Sequence, residues 1–344
     1  MNAGALRLPG VLSEDQLHRS ADHLASLQLS TGMIPWWPGG HCDPWNHVEA
    51  AMGLDASGRH DEALAAYRWL AATQLPNGAW HNYYRSDGSV EDSKLDTNVC
   101  AYVATGVYHH WLSTGSREHV AELWTTVERA LAWVLGLRRD DGLALWAIEA
   151  DGTRPWGYAL LTGSSSIAHA LMCGARLGAL VGRRRPSWER AAVQMRRSIA
   201  HHPERFEPKS RWAMDWYYPV LSGALSVSAG KARLADGWDT FVMEGRGVRC
   251  VSDEPWVTAS ETAECALAFA AIGDFDTAVD LVRWTGDHRR DDGAYWTGIV
   301  HPQGVTFPGD EHTSYTAAAI ILAVDAITAT TPATRLFRAP DDFA

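Results

Sequence analysis

The chain has 344 residues and a formal net charge of -11, from 30 Lys plus Arg against 41 Asp plus Glu. Apart from Arg183 to Arg185 it has no basic run, so nucleic acid and anionic membrane surfaces are poor partners. It is 46% hydrophobic and 21% charged, enough apolar material for a sizeable folded core and no signature of disorder. Five cysteines, an odd number with no C-x-x-C pair, point to reduced thiols in a cytoplasmic protein. The N-terminal stretch lacks the basic start and apolar core of a signal peptide. No run of about eighteen apolar residues offers a membrane span.

Taken in order, Ser13 to Leu27 reads as an amphipathic helix, capped by Ser13-Glu14-Asp15 and striped by Leu17, Ala21, Leu24 and Leu27. It ends in Gln28-Leu29-Ser30-Thr31-Gly32-Met33-Ile34, followed by the polar, aromatic loop PWWPGGHCDPW and an apolar helix from Asn46. The plan then repeats. Asp61 to Thr73 is amphipathic, Gln74 to Trp80 turns, and a second apolar helix starts at Asp96-Thr97. Glu118 to Leu137 is the next amphipathic helix. A hairpin turning near Asp151-Gly152 separates it from an apolar helix opening at Thr162 to Ser166. Ser187 to His201 precedes an apolar helix from Asp215 that runs through VLSGALSVSA. Lys231 to Trp238 is a short fifth amphipathic segment, Val248 to Thr258 reads as loop, and Ala259 to Ala263 opens the fifth apolar helix. Asp274 to Trp284, the turn Arg290 to Trp296, and a sixth apolar helix from Asp310 to Tyr315 complete the series.

Apolar helices thus start near 46, 96, 164, 215, 260 and 313, a period of roughly 50 residues that marks stacked helical pairs. Six pairs can close into a ring whose inner helices are rich in Ala, Ser and Gly. The expected fold is an all-α (α/α)6 toroid in one domain, with a core over about 12–330, a peripheral tail over 331–344, and short β-hairpin loops at the mouth.

Gln74, Gly78 and Trp80 resemble the QW motif of the prenyltransferase and squalene-cyclase repeat, and Gln28 to Ile34 matches it with Ile34 in place of Trp. Asp141-Gly142 with Trp146, and Asp292-Gly293 with Trp296, resemble the turns of six-hairpin glycosidases. The resemblance covers most of the chain as architecture and specifies turns, not a reaction. No Asp-x-Asp-Asp is present, and neither Asp140-Asp141 nor Asp291-Asp292 is followed by the acid of a metal-diphosphate motif.

In a ring, inner-helix N-termini converge on one mouth, where partial positive charge favours carboxylates. Asp96, Asp215, Glu261 and Glu311 form the pool of catalytic acids. Helix capping is the competing role for Asp96 and Asp215, whereas Glu261 follows residues that already serve as caps. Glycoside cleavage needs two such groups, one donating a proton to the leaving oxygen and one activating water or attacking directly. Trp36, Trp37, Trp45, Trp80, Trp156, Trp216, Tyr217 and Trp256 are candidates for stacking on sugar rings; Asn46, His47, Asn98, Ser164 and His312 would read hydroxyls. The same aromatics could line an isoprenoid pocket, but polar residues at nearly every inner-helix start favour sugars.

His41, Cys42, Asp43 and His47 are suitable zinc ligands by type. Their spacing matches no established motif and Pro44 interrupts them, so loop and sugar contacts are preferred and no cofactor is expected. The sequence therefore reads as a carbohydrate-active enzyme, glycoside hydrolase-like, acting on a small-molecule or oligosaccharide substrate. An isoprenoid enzyme of the prenyltransferase or terpene-cyclase type is the first alternative. A non-catalytic glycan- or protein-binding toroid is the second.

Overall fold

The computed structural model describes residues 5–338. Amphipathic and apolar helices alternate in the expected order: α1 (Glu14–Ser26) and α2 (Pro44–Ala56); α3 (His60–Thr73), then α4 (Thr97–Ala101) and α5 (Val103–Thr114); α6 (Arg117–Gly136) and α7 (Leu161–Leu180). They continue with α8 (Pro186–His201) and α9 (Ala213–Leu221); α10 (Val227–Phe241) and α11 (Ala259–Ala271); α12 (Phe275–Trp284) and α13 (Ser314–Thr328), with a last turn α14 (Arg335–Arg338). Every apolar helix foreseen from the sequence is present. The amphipathic members bury one stripe, as in Leu17, Ala21 and Leu24 of α1, whereas α11 and α13 are buried almost all round.

The helices pack as two compact units. One holds residues 5–27, 52–59 and 209–338, the other 28–51 and 60–208. In the first, α11 packs against α9, α12 and α13, and α1 lies on α13. In the second, α7 packs against α5, α6 and α8, and α3 against α5 and α6. Gly53 meets Ala318 so closely that a Cβ would stand 2.8 Å from the alanine methyl, which explains the small residues of the apolar helices.

The glutamine turns work as pins. Gln74 Nε2 donates to the Gly78 carbonyl (2.9 Å), closing its own turn, and to the Thr126 carbonyl on α6 (2.9 Å). Gln28 Nε2 repeats this on Gly32 (3.0 Å) and on Glu62 of α3 (2.8 Å). Gly78 sits at φ +98°, and a Cβ there would lie 2.5 Å from the Arg129 carbonyl oxygen, so glycine is required by both conformation and space. Trp80 is fully buried, its Nε1 donating to the Leu70 carbonyl at 2.9 Å. Gln74→Ala is expected to cost about 1–3 kcal/mol, because it removes two hydrogen bonds and strands a carbonyl. A thermal midpoint several degrees lower with kcat intact is the predicted result; an unmoved midpoint would sink the pin.

Four features depart from the sequence reading. First, α9 stops at Leu221 instead of running on, because Gly223 turns at φ +65° and Ser226 caps a new helix. Second, α10 spans Val227–Phe241, longer than expected. Third, the strands go beyond the hairpin expected around Asp151-Gly152, which is present with Trp156 N donating to the Ala147 carbonyl. In the second unit β1 (Tyr83–Tyr84) pairs with β2 (Val90–Asp92), and β3 (Leu95–Asp96) with β4 (Ala147–Ile148). In the first, β5 (Val242–Met243), β6 (Gly247–Arg249), β7 (Trp256–Thr258), β8 (Gly298–Val300) and β9 (Val305–Phe307) form one antiparallel sheet in that order. Fourth, the tail expected to be peripheral is packed as far as it is described: Leu336 and Phe337 are buried, and Thr331 is held by the Asp325 carboxylate. Residues 339–344 lie outside the described residues.

Candidate functional site

In the first unit the acids gather where helices begin. Glu261 is the third residue of α11, half-buried, and accepts a hydrogen bond from Ser260 Oγ at 2.7 Å. The free N–H groups of that first turn favour a negative charge there. One turn on, Glu264 is buried and accepts from the Tyr217 hydroxyl of α9. Burial raises the Glu264 carboxyl above the carboxylate range, and the Glu261 charge pushes the same way, against the Tyr217 hydrogen bond. The Tyr217–Glu264 tie links α9, which carries half-buried Asp215, to α11, which carries Glu261. Arg233 donates to the Asp215 and Trp216 carbonyls, fixing the start of α9. Glu311, half-buried before α13, accepts from Thr297 Oγ1 at 3.3 Å. Half-buried His312 lies beside Trp296, ring centroids 5.8 Å apart.

In the second unit Asp96 is buried at the junction of β3 and α4 and caps the helix through Asn98 N (2.9 Å) and Val99 N (3.2 Å). Burial lifts its carboxyl to about 6, although those two N–H groups, Lys94 and the Trp146 side chain all oppose the shift. Asn98 Oδ1 and Ser164 Oγ are buried without a hydrogen-bond partner among the described residues. Trp156 is half-buried and meets Trp146 edge-on at 5.5 Å.

The sequence weighs Asp43 as a metal ligand and prefers loop and sugar contacts. The structure makes it a buried carboxyl, raised by desolvation, whose Oδ1 accepts from Trp36 Nε1 (2.7 Å) and Asn46 Nδ2 (2.8 Å) and whose Oδ2 accepts from Asn46 N (3.0 Å). The only sequence signal for this was its place one residue before a proline-initiated helix. His47 is buried, with Nδ1 accepting from Ile34 N (3.1 Å) and Nε2 against the Ala66 carbonyl (2.9 Å); burial lowers its pKa to about 4. The Cys42 thiol points to the Asp43 carbonyl at 3.7 Å, and His41 faces Glu91 at 3.4 Å. The Asp43 carboxylate and the His47 ring thus have their polar atoms committed within the protein. Among the described residues no group of three or more His, Cys, Asp or Glu is arranged to hold a metal ion. None of the five cysteines is in a disulfide.

Several predicted sugar contacts are core instead. His47, Trp80, Trp216 and Tyr217 are buried with their polar atoms bonded inside the protein, Trp216 through its Nε1 to the Arg233 carbonyl. Trp45 is stacked on Tyr102 at 4.0 Å and only 7% exposed. Asn46 is spent on Asp43. Trp36, Trp37, Trp156 and Trp256 stay half-buried and can present a ring, Trp256 backed by Phe307 at 4.5 Å. Among the described residues no single helix is long and apolar enough to cross a membrane.

No family model matches the chain. Among solved structures it is similar to a wild-type glycosidase (TM-score 0.73, 14% identity, 92% of this chain and 98% of that one). It is also similar to a mannosylglycerate hydrolase from Thermus thermophilus in complex with glucose (TM-score 0.68, 11% identity, 90% and 99% covered). A D-mannose isomerase superposes with TM-score 0.67 at 12% identity over 91% of this chain and 97% of that one. These likenesses establish the (α/α)6 fold class of the six-hairpin glycosidases and nothing about the reaction, since a hydrolase and an isomerase share it. A curated relative from Mycolicibacterium hassiacum, MMP endo-(1,4)-3-O-methyl-alpha-D-mannosidase, is 44% identical over 334 residues, covering 97% of this chain and 92% of the relative. That match decides for sugars over isoprenoids and for an enzyme over a passive binder, with an oligosaccharide as the substrate class. At this identity and coverage the chain belongs to the family of the MMP endo-(1,4)-3-O-methyl-alpha-D-mannosidase and is a glycoside hydrolase.

Proposed function

We propose that this enzyme hydrolyses internal α-(1,4) linkages between 3-O-methyl-D-mannose units. The observation that carries the reading is the 44% identity to the endo-mannosidase along nearly the whole of both chains. In the reaction the bond from the anomeric carbon to the leaving oxygen breaks. Water supplies hydroxyl to that carbon and, through the enzyme's acids, a proton to the leaving oxygen. Glu261 is the carboxylate we assign to the anomeric side. Its half-exposed place in the first turn of α11 and its Ser260 hydrogen bond support an accessible, oriented group. Glu264, one turn on, is buried and its carboxyl is raised by desolvation, which sets it apart from half-exposed Glu261. Asp96, Asp215 and Glu311 form the pool for the proton donor.

The test is product analysis on a purified α-(1,4)-linked 3-O-methylmannose oligosaccharide. Mass spectrometry at early times is expected to show internal fragments of intermediate length. Exclusive release of monosaccharide, or an untouched substrate, would overturn the reading.

A further inference from the structure

Resting on that reading of the substrate, we propose that Trp212 is the stacking platform of a sugar subsite remote from the cleaved bond, where it holds a distal unit of the oligosaccharide. Among the described residues of the first unit, Trp212 and Val305 are the large apolar side chains that stay exposed, and Trp212 is 48% exposed.

The exposed ring stands on a fixed backbone. Trp212 N donates to the Lys209 carbonyl (2.8 Å), Ser252 N to the Arg211 carbonyl (2.8 Å) and Ala213 N to the Cys250 carbonyl (3.0 Å). Arg211 Nε donates to the Asp253 carboxylate at 2.9 Å. Residues 211–213 are thus laced to residues 250–253. A ligand that stacks on the indole need not order the chain first, which is the main cost of binding to a loose loop.

Its position ties the ring to the candidate acids. Trp212 is the residue from which α9 starts, and Asp215 N donates to its carbonyl at 3.2 Å. Residues 250–252 join the other acid from the far side: Cys250 N donates to the Trp256 carbonyl (3.0 Å), and β7 runs from Trp256 straight into α11 and Glu261. Burial and then the Glu261 charge raise the Cys250 thiol, while Arg211 lowers it, so Glu261 and Arg211 both act on that one atom.

The surroundings suit a sugar. The C–H bonds on the face of a hexose meet the negative face of an indole, and the hydroxyls around the ring need polar partners. Arg211 lies beside the Trp212 ring, its guanidinium carbon 5.4 Å from the centroid, and the Arg211 and Asp253 side chains are themselves 44% and 57% exposed. The rim of the platform therefore offers a donor and an acceptor. A protein partner would need a wider apolar patch. Val305 does not supply it, since it lies on β9, three strands along the sheet from β6.

The experiment measures kcat/KM on α-(1,4)-linked 3-O-methylmannose oligosaccharides of increasing length. In wild type it is expected to rise with length until the remote subsite is filled. Trp212→Ala should lower kcat/KM on the long chains, through KM, by about tenfold more than on the shortest chain cleaved, the worth of one aromatic contact. Trp212→Phe should restore most of the difference. The same factor at every length, or no change at any, overturns the proposal. If Trp212→Ala does not fold, Trp212→Leu is read in the same way. If wild type cleaves no chain, the substrate reading fails on its own. The platform is then judged by 19F NMR on the 5-fluorotryptophan-labelled enzyme, with the Trp212 resonance assigned by its loss in Trp212→Phe. A shift of that resonance on titration with mannohexaose or maltohexaose supports the platform; no shift with either overturns it.

Discussion

Glu261→Gln is expected to lower kcat on the methylmannose oligosaccharide by roughly 10²–10⁴-fold with little change in KM, the usual cost of removing a group that works on the proton or charge of the transition state. The substitution is close to isosteric. Its amide oxygen can still accept the Ser260 hydroxyl, now at 2.7 Å from Glu261, so the start of α11 should be undisturbed. Circular dichroism and an unmoved thermal midpoint would establish that the loss is chemical. Asp215→Asn, Glu311→Gln and Asp96→Asn, measured alongside, should single out the proton donor. It is the variant that fails on an oligosaccharide but recovers on a substrate whose leaving group needs no proton. Full turnover in both Glu261→Gln and Asp215→Asn would overturn the assignment of the acids. So would a decrease in Glu261→Gln that tracks KM alone, since that would make Glu261 a binding group.

The second large effect is on stability and its pH dependence. Asp96 is only 6% exposed and its carboxyl is raised to about 6 by burial, from an ordinary value of 3.8. Below about pH 4 both the folded and unfolded chains carry the proton, and the group costs nothing. As pH rises from there to about 6 the unfolded chain ionises first. It then binds fewer protons than the folded one, and stability falls. Above about pH 6 both are ionised and the loss is complete. A shift of this size amounts to about 3 kcal/mol. Asp96→Asn cannot titrate and should lack that decline between pH 4 and pH 7 in chemical-denaturation curves. Asparagine is as good a helix cap as aspartate, so the bonds to Asn98 N and Val99 N persist. The amide also faces the Trp146 side chain, which donates to the aspartate. The slope against pH, and not the absolute stability, is therefore the proper readout. Parallel slopes in variant and wild type would show that Asp96 is solvated and ionised in the folded protein.

Much of the architecture could be read from side-chain period and turn chemistry. Gln28 and Gln74, each followed by glycine four residues on, announced a repeated turn, and the structure explains why those two residue types are needed. The amide pins a carbonyl of the following amphipathic helix, and the glycine lets the two backbones touch. What escaped was the five-stranded sheet. Its strands are two or three residues long, too short for alternation to rise above the surrounding loop, and partners lie as far apart as Trp256 and Val300. The early end of α9 escaped for a similar reason: an apolar run through VLSGALSVSA looks continuous until Gly223 takes a left-handed conformation.

The candidate site divides along the same line. Residue type and place at a helix start are local properties, and they singled out Asp96, Asp215, Glu261 and Glu311 without any tertiary information. Whether an aromatic is platform or core is not local. Trp80 and Trp37 both follow a Gly/Pro turn, yet one is sealed against Leu70 and the other lies half-open on Gly40. The state of a carboxyl is not local either. Asp43, with Cys and His beside it, is a metal-ligand type by sequence, and only the folded chain gives its carboxyl Trp36 and Asn46 as partners. The sequence alone thus determined the helical repeat and marked a pool of candidate acids, because both readings follow from spacings of a few residues. Only the tertiary structure decided which rings meet solvent and which acids are desolvated, because burial is set by chain segments that the sequence places far apart.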